Sequence, residues 1–366
     1  MKHIFKQNRF LYIWLLIVGS LSLLFHATRW MRPVMNFWVE VILAPILRGI
    51  SAVTHLVRFS VAEVLVILFV LFCIFLLVRE IRKMRVKKRI QNRYPIQNGL
   101  YRIIAGTLAL FLTLYAGFSW MYGVMFFTDN FQDRSGIHAT AASVDELERV
   151  TLLFAEGLNQ NAHLVERCAQ DVFSVSIEQI FEESVHVFRN VEEEFPFLVH
   201  RDRVPKAQHL SSWLFAMTDY TGFYFPFTAE ANINTLAPRS QIPATVLHEF
   251  VHQRRIASEN EANFVAILAG TKGDNPIFAY SAYLMGYSYL ANALNRVAPE
   301  RFRAIQDTLD PLVLADLADI RAYHARKNPT AQRVTNVMYD NFLQTFGEES
   351  GIQSYGEVVD LLIAYF

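Results

Sequence analysis

The chain has 366 residues but only two cysteines, Cys73 inside an apolar run and Cys168 in a polar half. Two scattered thiols build no disulfide framework, and they exclude a thiolate zinc site, which needs clustered Cys. Charge is also scarce, at 19% of residues against 53% hydrophobic, and formal net charge is zero. That balance argues against a general nucleic-acid binder. Internal repeats and low-complexity segments are absent from the sequence as well.

What is present divides sharply. The first 128 residues are crowded with apolar runs, and the remainder reads as an ordinary soluble domain. Three runs reach the roughly 20 apolar residues that a helix needs to cross a bilayer: about 10–28, 59–78 and 103–128. The first is too long for a signal peptide and has no small-residue cleavage site. Val34 to Leu56 is apolar but carries Glu40, Arg48 and His55, so it is read as an amphipathic helix on the membrane rather than a fourth span. Glu63, within a turn of its span's end, should reach the headgroups.

Lys and Arg in short loops set orientation. The run Arg79, Arg82, Lys83, Arg85, Lys87, Lys88, Arg89 and Arg93 should stay cytoplasmic, and so should Lys2, Lys6 and Arg9 at the N-terminus. Residues 129–366 then lie outside. A multi-pass cell-membrane protein with an extracytoplasmic C-terminal domain is expected.

The soluble half is mainly helical by its pattern. Ser143 and Glu146 fit a capping box, and a second helical stretch covers Ile177 to Phe195. Gly222 to Asn234 is rich in aromatic and β-branched residues and reads as one or two strands, with Pro226 favouring an edge. Gln241-Ile-Pro243 opens the next helix, and helices follow from Pro276 to the end.

That helix carries His248-Glu-Phe-Val-His252, an HExxH pattern. Spacing of four puts both imidazoles on one helical face, close enough to share a metal ion, with Glu249 beside the open position. A catalytic zinc takes three protein ligands and a water. A straight helix would carry Glu259 roughly 16 Å along the axis from His248, so the chain must break between Arg254 and Ser258, and Ser258 can cap a second helix. Glu259 is the expected third ligand, with Glu261 the alternative, or else a capping partner of Ser258. Asn263, four residues after Glu259, is placed to orient a ligand. Glu230 is more readily a surface or cleft-rim acid than a ligand. Tyr280, Tyr283 and Tyr287, at helical spacing, read as core.

The Glu259, Ala262 and Asn263 pattern resembles the Glu-x-x-Ala-Asp/Asn signature of gluzincin-type metallopeptidases. More specifically, the chain resembles a bacterial membrane protein family known as domain of unknown function 3810. The resemblance rests on the apolar N-terminal segments, on Phe225 to Asn232, on HExxHQR, on Glu261 to Phe264 and on Ser354 to Leu362. Arg255 stands where the family pattern has glycine. The resemblance implies a zincin-like site, a Zn2+ cofactor and an edge strand, here Phe227 to Asn234, along which a peptide could pair.

The expectation is therefore a mainly α protein: three transmembrane helices in residues 1–128, then a zincin-like α+β metallopeptidase domain with a small sheet in residues 129–366. Its function would be zinc-dependent hydrolysis of peptide bonds in an unknown peptide or protein substrate, with the lipid bilayer as its other partner. The alternative is a non-catalytic membrane sensor or assembly factor on the same fold.

Overall fold

The computed structural model describes residues 9–91, 96–140, 142–213, 220–327, 329–346 and 355–366. Lys2, Lys6, Arg93 and Ser354 lie outside the described residues. The chain forms two compact units, one of Met1–Ile46 with Val61–Thr128, the other of Leu47–Ser60 with Asp129–Phe366. The expected membrane domain held all of residues 1–128; here Leu47–Ser60 groups with the second unit.

Four long helices account for most of the first 128 residues: α1 (Arg9–Thr28), α2 (Arg32–Thr54, π-helical over Trp38–Leu43), α3 (Val61–Gln91) and α4 (Ile96–Met121). By length and composition each holds a segment apolar enough to cross a membrane: Arg9–Thr28, Arg32–Thr54, Val61–Lys83 and Ile103–Met121. These helices point to a membrane protein. Their number is four where three were expected, because Glu40 and Arg48 are too few to break a 23-residue helix of mean hydropathy 1.5. The last helix also ends earlier than expected, at Met121, and a 3-10 turn follows at Gly123–Phe127. Within the first unit, polar groups bind α1 to α4. Trp14 Nε1 donates to Thr113 Oγ1 at 2.8 Å, and Trp120 Nε1 donates to the Leu21 carbonyl at 3.1 Å. Glu63 is buried in the first turn of α3, rather than reaching outward as expected.

Beyond the end of α2, the second unit continues with α5 (Phe131–Ser135) and α6 (Val144–Ala162). Ser143 and Glu146 make both capping-box bonds at the start of α6. The expected helix over 177–195 is two, α7 (Ile177–Ser184) and α8 (Arg189–Glu194). The break between them lets Val187 and Phe188 turn into the core. Next comes a three-stranded sheet of β1 (Lys206–Ala207), β2 (Gly222–Phe225) and β3 (Glu230–Ile233), in the order β1-β3-β2. β2 is antiparallel to β3, and β1 is parallel to it. The run expected as an edge strand, Phe227 to Asn234, instead supplies the central strand. Pro226 to Ala229 forms the turn, with Ala229 at φ +52°, and β2 holds the edge.

Seven helices complete the fold: α9 (Ile242–Gln253), α10 (Glu259–Lys272), α11 (Pro276–Val297), α12 (Pro299–Gln306), α13 (Pro311–Ala325), α14 (Pro329–Thr345) and α15 (Tyr355–Tyr365) follow the sheet in the described residues, with a 3-10 turn at Arg239–Gln241 leading into α9. α11 packs between α6 and α10. A Cβ at Gly286 would come within 2.2 Å of the Phe154 ring, so α6 and α11 touch at a distance only glycine permits. Nearly every residue of α9 is buried, the polar Glu249, His252 and Gln253 among them. The core tyrosines behave as expected. Tyr280 donates to Asp316 Oδ2 at 2.5 Å, and Tyr283 stacks edge-on against Phe154.

Candidate metal centre

The site forms where α9 ends and α10 begins. Arg254 is the last half-helical residue of α9, and Arg255 adopts φ +70°. The Arg255 N–H donates to the His252 carbonyl, and the Ile256 N–H donates to the Val251 carbonyl. This pair of bonds is the Schellman ending, which requires a left-handed residue and is usually built on glycine. Arg255 thus accepts the conformation that glycine would adopt without strain. The turn redirects the chain, so that α10 starts beside α9 instead of continuing along its axis.

His248, His252 and Glu259 meet as a result. Their ligand atoms all lie within 4.8 Å of one another. The two Nε2 atoms are 3.1 Å apart, His248 Nε2 is 3.2 Å from Glu259 Oε2, and His252 Nε2 is 3.5 Å from Glu259 Oε1. Ligands around a tetrahedral ion with bonds of 2.0–2.1 Å are separated by about 3.3–3.4 Å. Two imidazoles and a carboxylate at these separations fit zinc in both donor type and spacing. His252 Nδ1 is bonded to the Ile256 carbonyl at 2.8 Å. In the neutral imidazole that bond makes Nδ1 the protonated nitrogen and leaves Nε2 to face the common point.

Glu249 stands next to this cluster, 3% exposed. It accepts a hydrogen bond from the backbone N–H of Tyr224. Its Oε2 is buried and has no hydrogen-bond partner among the described residues. Such an atom is uncommon in a folded chain and calls for an explanation. Burial pushes the Glu249 carboxyl up to about 7, against the pull of His248 and His252. Burial alone would lower His252, but the Glu259 and Glu249 carboxylates and the Ile256 carbonyl together outweigh it and lift the imidazole to about 9. Burial would raise Glu259, yet the charges and bonds of both histidines hold it well below the usual carboxylate range.

The remaining candidates lie elsewhere. Glu261 turns away from the histidines and accepts the backbone N–H groups of Phe131 at 2.8 Å and Gln132 at 3.1 Å. It is neither a third ligand in this arrangement nor a capping partner, since Ser258 makes no side-chain cap bond. Helical phase explains the difference: two residues beyond Glu259, a side chain points roughly 200° around the axis. Asn263 is buried, but among the described residues no hydrogen bond joins it to His248, His252 or Glu259; the Ile256 carbonyl orients His252 instead. Glu230 is fully buried in β3, where its charge faces Lys206, and is not a rim acid.

Four participants have no sequence signal or a faint one. The Tyr224 N–H and the Ile256 carbonyl are backbone groups, invisible in any motif. Gly222 has a readable trace, because glycine inside a strand often marks a close approach. A Cβ there would sit 2.8 Å from Glu249 Oε1 and 2.9 Å from Thr245 Cγ2. Arg254, the arginine of HExxHQR, is 1% exposed and clamps the end of α9. It donates to both oxygens of Asp202 at 2.7 Å and to Glu192 at 2.8 Å, with its guanidinium 3.6 Å above the Phe188 ring centre.

No curated protein and no solved structure matches the chain significantly. The model of the family described as "Protein of unknown function (DUF3810)" matches residues 38–363, nearly the whole length, and the chain belongs to that family.

Proposed function

We propose that this protein is a membrane-anchored zinc-dependent endopeptidase with a zincin-like catalytic unit. The observation that carries the reading is the convergence of His248, His252 and Glu259 beside a buried carboxylate oxygen that has no hydrogen-bond partner among the described residues. Those three residues would hold the zinc. When bound, the ion would supply an acidified water and polarise the carbonyl to be cleaved.

The chain's own groups would do the rest. Glu249 Oε2 is free to take a proton, and its raised affinity for one suits a general base that later returns it to the leaving nitrogen. The Tyr224 N–H holds the other side of that carboxylate, so the base is aimed rather than mobile. In the β2–β3 ladder Asn234 N bonds Thr221 O, so the outward-facing backbone groups are those of Gly222 and Tyr224. The outer edge of β2 therefore faces Glu249, and an extended peptide would align along it by strand addition.

The side of the membrane follows from charge. The basic segment after Lys83 should remain cytoplasmic, and one further span carries the chain to Asp129. The catalytic unit is then extracytoplasmic. A crossing by α2 would move the N-terminus to that same side and leave the catalytic unit where it is.

The test compares the full chain with Glu249→Gln, measuring bound zinc and digestion of an unfolded, fluorescently labelled protein. The expected result is one zinc in both proteins and cleavage by the wild type alone. Equal cleavage by both would end the proposal.

A further inference from the structure

We infer that the substrate of this centre is a membrane-anchored polypeptide, cut within about ten residues of its anchor. The inference rests on the peptidase reading and adds the substrate class.

It starts from residues 55–60. They join a helix ending at Thr54 to one opening at Val61, both apolar enough to span a bilayer. Such a turn sits at the boundary between lipid and water. Inside the second unit, that turn is bonded to the sheet. Thr54 Oγ1 donates to the Thr228 carbonyl at 3.0 Å, and Ser60 Oγ donates to Asn232 Oδ1 at 2.6 Å. Lys206 Nζ donates to the Val57 carbonyl. Thr228 belongs to the β2–β3 turn, Asn232 to β3 and Lys206 to β1. Ser60 and Asn232 are 2% and 0% exposed, so this is a buried bond and not a fluctuating surface contact.

Asn232 also reaches the catalytic side. The position a Cβ would take on Gly222 lies 3.2 Å from the Asn232 carbonyl oxygen and 2.8 Å from Glu249 Oε1. One asparagine therefore separates Ser60 from the Glu249 environment, and the two residues' polar atoms are no more than about 15 Å apart. The headgroup layer is itself roughly 5–8 Å thick on each side. An extended chain covers about 3.3–3.6 Å per residue, so a segment leaving the bilayer reaches Glu249 after only a few residues.

The surface nearby in sequence agrees. Leu56 and Phe59 in the turn, and Leu210 and Trp213 just after β1, are each more than half exposed, and Arg58 in the turn and Arg201 before β1 are exposed as well. Apolar and aromatic side chains mixed with arginine are what the headgroup region accommodates. A folded soluble protein would have to bring an unfolded segment down to the lipid. A substrate in the same membrane arrives at an effective concentration that a soluble one does not reach.

The experiment uses the full chain in vesicles with a single-span reporter bearing a 40-residue unstructured juxtamembrane segment, compared with the same segment as a free peptide. Cleavage should fall in the first ten or so residues of the anchored segment. A 20-residue helical spacer, about 30 Å long, inserted next to the anchor should reduce it at least tenfold. Equal cutting of free and anchored segments, or indifference to the spacer, overturns the inference. A second readout needs no activity: Leu210→Cys carrying a fluorophore should be quenched by spin-labelled lipid. Quenching without cleavage of any substrate would refute the peptidase reading and keep the centre at the lipid surface. Absence of quenching would refute the present inference whatever the activity.

Discussion

His252 Nδ1 is held by the carbonyl of Ile256, 2.8 Å away, and Ile256 is there because Arg255 turns the backbone through φ +70°. The same turn that ends the histidine helix therefore selects the histidine's tautomer. One residue's backbone conformation serves both the fold and the site.

The turn can be tested at Arg255. A β-branched side chain is strained in the left-handed region, so Arg255→Val should destabilise the chain by about 1–2 kcal/mol. Arg255→Gly should stay within about 1 kcal/mol of the wild type. Thermal unfolding of the detergent-solubilised protein measures both. Equal losses in the two variants would mean that the arginine side chain, and not the backbone angle, matters at this position.

Glu259 and Glu261 should separate cleanly. Glu259→Gln should weaken zinc binding by more than the 10–100-fold typical of a change outside the ligand set. Glu261→Ala should keep one zinc per chain but lose about 2–4 kcal/mol of stability, because the buried Phe131 and Gln132 N–H groups lose their acceptor. Metal analysis together with unfolding would show the opposite pattern if the two glutamates had been assigned the wrong way round.

Gly222→Ala is expected to act on Glu249. The new methyl would start 2.8 Å from Oε1, a distance at which something must move. Cleavage should fall at least tenfold, about 1.4 kcal/mol in the barrier, while zinc content stays at the wild-type level. Unchanged turnover would show that β2 can shift away at little expense and that its position does not govern the base.

Acid should weaken the second unit through His200. Burial, and then the charges of Arg254, Arg255, Arg48 and Arg203, hold this imidazole down to about 3. An unfolded histidine titrates near 6.5. Between those values the unfolded chain carries a proton that the folded chain does not. The stability concerned is therefore intact above about pH 6.5 and declines as pH falls, by at most about 1.4 kcal/mol per pH unit. His200→Gln should show a smaller drop in Tm between pH 7.5 and 5.0 than the wild type. An identical drop would place the acid sensitivity in other groups.

Some of this protein could be read directly from its residues. The apolar runs over 10–28 and 59–78 and most of the run over 103–128, the capping box at Ser143 and the spacing of His248 and His252 are properties of neighbours within a turn or two. Hydropathy and helical phase act at that range, so the letters suffice. Other features depend on where separate segments meet. The direction of α10 hangs on a single angle at Arg255, and that angle brings Glu259 toward the histidines while turning Glu261 toward Phe131. The edge position of β2 depends on β1, a two-residue strand with no pattern of its own, pairing on the far side of β3. The partners of Glu249 and His252 are a backbone N–H and a backbone carbonyl, groups that every residue carries and no sequence pattern marks. Only the packed chain decides which of them is used, because hydrogen bonding selects partners by distance and direction, and both are set by tertiary structure.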